Sequence, residues 1–220
     1  MRYRLEDGTV KLVVGVTSWF IVHEHLLRSH SDFFDKALNK QWEEGQARVI
    51  RMPDDNGDVV YRYIQWLYTK TIACKCGNRP QWRLLADLYV LGEKILDVKF
   101  QDCVIDCFLV SSRDSNAREI GYFPKTPATN LVYQGTPEGS PARRLMVDLF
   151  INYGNGKWIT PEDGNRSRNN HEFVMDLATA LLDKRQLPAA SREDSAGIDI
   201  GRPCSYHKHK PDEACGSQVY

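Results

Sequence analysis

The sequence predicts an α+β fold, a short three-stranded sheet flanked by helices and followed by an α-helical extension. Three observations predict it. Two apolar, β-branched runs, Val10 to Val14 and Trp19 to Val22, flank Gly15-Val-Thr-Ser18 as the arms of a hairpin. Val60, Tyr63, Ile64, Leu67 and Tyr68 hold the i, i+3, i+4, i+7, i+8 spacing of an amphipathic helix without a miss. From Leu84 onward, every sustained apolar pattern has the helical rather than the strand period.

Each element follows in order. After the hairpin, Ser31 is placed to cap a helix carrying Phe33, Phe34, Ala37 and Leu38, and the polar stretch from Gln41 to Ala47, with its glycine, ends that helix. Arg48-Val-Ile-Arg-Met52 reads as the third strand, stopped by Pro53. Asp54-Asp55 belongs to a turn and helix cap rather than to an acid pair. Beyond the Val60 helix, Leu84, Leu85, Leu88, Leu91 and Ile95 mark a helix, and Phe100, Cys103, Val104, Cys107 and Phe108 a further one. The few residues between them, near Asp97, favour an antiparallel pair.

Residues 111–140 are rich in Ser, Pro, Gly and Thr and are expected to form a surface connection. Leu145, Met146, Leu149, Phe150 and Tyr153 then mark one helix, stopped by Gly154-Asn-Gly156, and Phe173, Val174, Leu177, Ala178 and Leu181 mark another. The expected organisation is a sheet-and-helix unit over 1–110, the connection over 111–140, a helical extension over 141–190 and a polar tail over 191–220.

Composition narrows the function. The chain has 220 residues, 42% of them hydrophobic, enough to bury a core. Its 29 basic and 29 acidic residues cancel, so no net field gathers nucleic acid or anionic lipid. The start lacks an apolar leader, and no apolar run approaches the ~20 residues of a membrane span, so the expected place is cytoplasm or nucleus. There the six cysteines are expected to be reduced. Cys103 and Cys107 read as small apolar core residues and Cys74-Lys-Cys76 as a loop with free thiols. Asn165-Arg-Ser167 matches a glycosylation acceptor that is idle without secretion.

No catalytic set emerges. His23 and His25 lack an orienting third group, Gly154-Asn-Gly156-Lys157-Trp158 lacks the remaining residues of a phosphate loop, and no Gly-x-Ser-x-Gly occurs. The expectation is a protein that is not an enzyme and needs no cofactor, apart from one structural zinc as the alternative. That zinc rests on Cys204, His207, His209 and Cys215, donors of the type in tetrahedral Cys₂His₂ sites, although their spacing is not that of a zinc finger.

The run Phe20, Val22, His23, Leu26, Leu27, Ser31, Phe33 and Phe34, together with Tyr63, Trp66, Leu67, Tyr68 and Thr69, resembles the BTB/POZ domain, a protein-interaction fold. The strand, strand, helix, strand, helix, helix, helix order from about Val10 to Phe108 agrees with it. The second half is similar to the helical extension of many small fungal BTB proteins. The resemblance implies an adaptor or scaffold that binds protein partners, cullin-3 or a transcriptional regulator among them, with His23 as an architectural corner residue. Two departures qualify it. Apolar Val10 and Glu24 stand where the transcription-factor branch forms a charged pocket, and Thr71 to Pro80 supplies no Glu of the kind cullin adaptors add. The short lead before the first strand leaves out the exchanged elements of long-type dimers, so no strong dimer of that type is expected.

Overall fold

The computed structural model describes residues 8–39, 41–73, 75–76, 79–113, 123–124, 126–154, 156–159, 169–186, 203–210, 213 and 215. Strands β1 (Thr9–Val14) and β2 (Ser18–His23) form the expected antiparallel hairpin. Gly15 turns it at φ +56°, a left-handed conformation that costs glycine nothing. Strand β3 (Val49–Met52) joins the other edge of β1 in parallel, so the order is β2-β1-β3. A parallel return requires a crossover, and the chain makes it through α1 (Glu24–His30), α2 (Asp32–Ala37) and a short α3 (Glu43–Ala47). The last of these lies where the polar stretch was expected only to end a helix.

Val10, Leu12, Val14, Val22, Ile50 and Met52 alternate onto one face of the sheet and are buried. Against them pack α1, α2, α4 (Gly57–Thr69), α5 (Trp82–Ile95) and α6 (Val98–Arg113). Between α4 and α5 lies a two-residue ribbon, β4 (Lys75–Cys76) with β5 (Arg79–Pro80). The centre of the helical layer is aromatic. Tyr63 sits 4.9 Å from Phe100 and 5.9 Å from Trp66, ring centre to ring centre, and stacks on Phe34. Ser31 caps α2 as expected, accepting from the Phe34 N–H at 3.1 Å, and its hydroxyl also donates to the Ile95 carbonyl at 2.5 Å. That one side chain therefore ties α2 to the end of α5.

Leu96, left-handed at φ 56°, ends α5, and the buried Asp97 starts α6 by accepting from the Phe100 N–H at 2.9 Å and the Tyr63 hydroxyl at 3.0 Å. Burial outweighs both bonds and pushes the Asp97 carboxyl up from 3.8 to about 6. A carboxyl that keeps its proton longer in the fold stabilises it below about pH 3.8, and this contribution is lost as pH rises through about 6. Burial pushes the His30 imidazole down to about 4, which works in the opposite direction over nearly the same window, so a single wild-type curve mixes the two. Comparison with Asp97→Asn isolates the carboxyl. Followed by urea unfolding from pH 4 to 7, the variant should gain on wild type by on the order of 2–3 kcal/mol as pH rises. Parallel curves would exclude the buried charge.

The second half departs from expectation in two places. Residues 111–140 are not a plain connection: α6 runs to Arg113, and α7 (Thr126–Gly135) packs on α5. Its composition of Thr, Asn, Gly and Val is poor for helices, so the helix exists through burial of Ala128, Val132 and Tyr133. Gly135 is required at this contact, because a Cβ there would lie 2.4 Å from Val90. Helix α8 (Pro141–Tyr153) forms as read and is buried along Leu145, Met146, Leu149 and Phe150. Helix α9 (His171–Gln186) also forms, but it buries only part of the expected stripe: Phe173 and Leu177 face the core, while Val174 and Leu181 are exposed. Two apolar stripes run along α9, and the sequence period does not say which one α7 and α8 will cover.

The cysteines need a further correction. Cys107 is disulfide-bonded, not a reduced core thiol, while its neighbour Cys103 one turn away is free. Spacing along one helix says nothing of a distant partner. The side chains of Cys74 and Cys76, and the Asn165 acceptor, lie outside the described residues.

Candidate functional site

Alternation along the strands leaves Lys11, Trp19, Ile21 and Arg51 on the outer face of the sheet, with Val13 and Val49 half-buried beside them. Trp19 is 60% and Ile21 53% exposed, and the Lys11 ammonium lies 5.1 Å from the Trp19 ring centre. No residue of the three strands is acidic. The face continues past β3 into a groove of about 660 Å³, where Val49 and Arg51 meet Phe33, Ala37, Trp42 and Leu96. Large apolar side chains grouped in this way mark contact surfaces.

His23 closes the hairpin into α1. Its Nδ1 lies 2.7 Å from the Tyr68 hydroxyl, which also accepts from the His23 N–H at 3.3 Å. The pair links the sheet corner to α4, an architectural use of the ring.

The C-terminal residues Cys204, His207, His209 and Cys215 come together, their donor atoms all within 4.8 Å of one another, close enough to hold one metal ion. His207 Nδ1 lies 3.3 Å from His209 Nε2 and 3.4 Å from Cys215 Sγ. The outer nitrogens have acceptors. His207 Nε2 lies 3.0 Å from Asp106 Oδ1 on α6, and His209 Nδ1 lies 3.0 Å from the Lys210 carbonyl. Because a carboxylate and a carbonyl only accept, those two nitrogens carry the protons of the neutral rings. The inner nitrogens are then left to accept a donor or to ligate a metal, and the Cys215 sulfur lies beside one of them.

The tail is docked rather than loose. A 3₁₀ turn, Pro203–Tyr206, sits between α6 and α8, with Tyr206 and His207 buried. Tyr206 donates to Asp148 at 2.8 Å, and Arg144 donates to the Ser205 carbonyl. The Lys208 N–H donates to Asp102 at 2.7 Å, and its ammonium to Glu93 at 2.5 Å. Burial raises the Asp102 carboxyl, against the opposing pull of the Lys208 N–H. Sequence reasoning found the four donors and missed Asp102, Asp106 and Glu93. A signal existed: two aspartates four residues apart in an apolar helix share one face and need partners if that face is covered.

Among the described residues, no helix is long and apolar enough to cross a membrane. No curated protein matches the chain. The family model of the BTB/POZ domain matches residues 4–100, the segment that holds the mixed sheet and helices α1 to α5. Residues 4–100 of this chain are a BTB/POZ domain, a protein–protein interaction module.

Proposed function

We propose that the chain is a non-enzymatic adaptor or scaffold of the cytoplasm or nucleus, holding a protein partner on the outer face of its sheet. The supporting observation is the uncovered, cation-flanked apolar surface formed by Trp19, Ile21, Lys11 and Arg51, continuous with the Trp42 groove. Cullin-3 is the partner to test first, with a transcriptional regulator as the other class. Trp19→Glu with Ile21→Glu in the full chain should leave stability within about 0.5 kcal/mol, because both side chains are exposed. It should weaken partner binding at least tenfold, as loss of a central anchor does. Purified cullin-3 titrated against wild type and this variant checks both points. Equal binding to the two chains would remove the sheet face as the contact, and absence of cullin-3 binding would remove the ubiquitin-ligase role.

A second reading stands on a separate observation. We infer that Cys204, His207, His209 and Cys215 hold a structural zinc. The inner ring nitrogens lie 3.3 Å apart with the Cys215 sulfur 3.4 Å from one of them, separations of the kind that ligand atoms around one cation have. Zinc bonds of about 2.0–2.1 Å to nitrogen and 2.3 Å to sulfur place tetrahedral ligand atoms about 3.3–3.8 Å apart, which fits these separations. Asp106 behind His207 is the carboxylate that usually orients such a ligand. Four protein ligands leave no open position, so the metal's work is to hold the tail in place. Asp106→Ala should lower zinc affinity by about 10–100-fold with the four donors unchanged, read by competition against a chromophoric chelator. Unchanged affinity would dismiss the orienting role.

A further inference from the structure

Apart from the Cys204, His207, His209 and Cys215 group, the charged side chains that α5 and α6 turn to the tail are carboxylates. Glu93 of α5 and Asp102 and Asp106 of α6 all point at it, and each is met by a group from the tail: the Lys208 ammonium on Glu93, the Lys208 N–H on Asp102 and the His207 ring on Asp106. The Lys208 ammonium also lies 5.9 Å from the Tyr89 ring centre, and Gln101 adds a hydrogen bond to Glu93 at 2.8 Å. Asp102 and Asp106 are buried beneath this cover. Without the tail, three carboxylates from two adjacent helices would stand together near a buried tyrosine, an arrangement that attracts cations carrying backbone or ring N–H donors.

The chain's own His207-Lys208 is thus a ligand seated on a docking site. We propose that the α5–α6 face is a second interaction surface, made for a lysine- and histidine-rich segment of a partner protein, and that the tail covers it in cis. That the cover is held by metal rests on the zinc reading above. The acidic surface itself does not. This surface is distinct from the outer face of the sheet: its charged groups are acidic, where the strands of that face carry Lys11 and Arg51. The tail also hydrogen-bonds to α8 through Tyr206 and Ser205, so release would free the BTB unit and the extension from a shared staple.

The probe is a fluorescent peptide of residues 203–210 with serine in place of Cys204, titrated by anisotropy against three full-length chains. These are zinc-loaded wild type, Cys204→Ser/Cys215→Ser, and His207→Ala/Lys208→Ala, with zinc content measured on each. Both variants should bind the peptide at least tenfold more tightly than wild type, and binding should fall with added salt. Adding Asp102→Asn to either variant should reverse much of the gain. If the cysteine variant behaves as wild type while the His207/Lys208 variant binds, the cover stands and the metal is not what holds it. Equal peptide affinity for all three chains overturns the proposal, whatever their zinc content.

Discussion

Replacing Cys204 and Cys215 together by serine is expected to change the purified protein from one bound zinc per chain to none. Serine keeps the size but not the thiolate, which is the atom zinc binds. Two imidazoles alone do not complete a tetrahedral site, so the loss should be all-or-none at micromolar metal. The structural consequence is local. Among the described residues, Ser205, Tyr206, His207 and Lys208 of the tail bond to the rest of the molecule, whereas the sheet and α4–α6 bury their own apolar core. Amide protection should therefore collapse at Tyr206 to Lys208, while protection in α4 and α5 stays. Chelation of wild-type protein should reproduce the pattern, and added zinc should reverse it. Linkage gives the scale: metal a thousandfold above its dissociation constant stabilises the docked state by about 4 kcal/mol. Equal zinc content in wild type and variant would end the metal reading.

Arg143→Met should strongly destabilise the helical extension, by about 3–5 kcal/mol. The guanidinium is buried between α7 and α8. Its Nη2 donates to the Tyr133 carbonyl at 2.7 Å and to the Thr136 carbonyl, its Nε donates to the Thr136 hydroxyl at 3.2 Å, and its plane lies over the Tyr133 ring. Those carbonyls end α7, where the helix has no further N–H to offer. Methionine fills similar space and leaves them unbonded. The ion pair with Glu172, at 2.5 Å, is the lesser part of the effect because that carboxylate is 62% exposed. Glu172→Gln should therefore cost under about 1 kcal/mol. Urea midpoints for the two variants separate the contributions, and equal losses would show that the ion pair, not the carbonyl bonds, carries the contact. Arg143→Lys should recover only part of the loss, since one ammonium cannot reach both carbonyls and the hydroxyl in a fork.

The BTB half was legible because its patterns are local. The hairpin at Gly15, the Ser31 cap and the Val60 to Tyr68 stripe each involve residues within a few positions of one another; the first two appear as read, and the third forms its helix, although Trp66 is buried there and Tyr68 is exposed. The four metal-competent residues were legible by type alone. Their convergence was not, because it depends on Asp102, Asp106 and Glu93, over a hundred positions earlier, drawing the tail down. Helix α7 escaped notice for the opposite reason: its residues favour helix weakly, and α5 supplies the burial that makes one.

By itself the sequence determined the mixed sheet-and-helix class, the BTB/POZ resemblance and the donor set, since side-chain period, capping residues and ligand chemistry are properties of short stretches. Only the tertiary structure decided which stripe of α9 is covered, that α7 is a helix on α5, that the sheet face stays open around Trp19, and that the tail closes over α6. Each of these depends on which distant surface a segment meets, and the free energy of burial and of pairing buried charge belongs to both surfaces together.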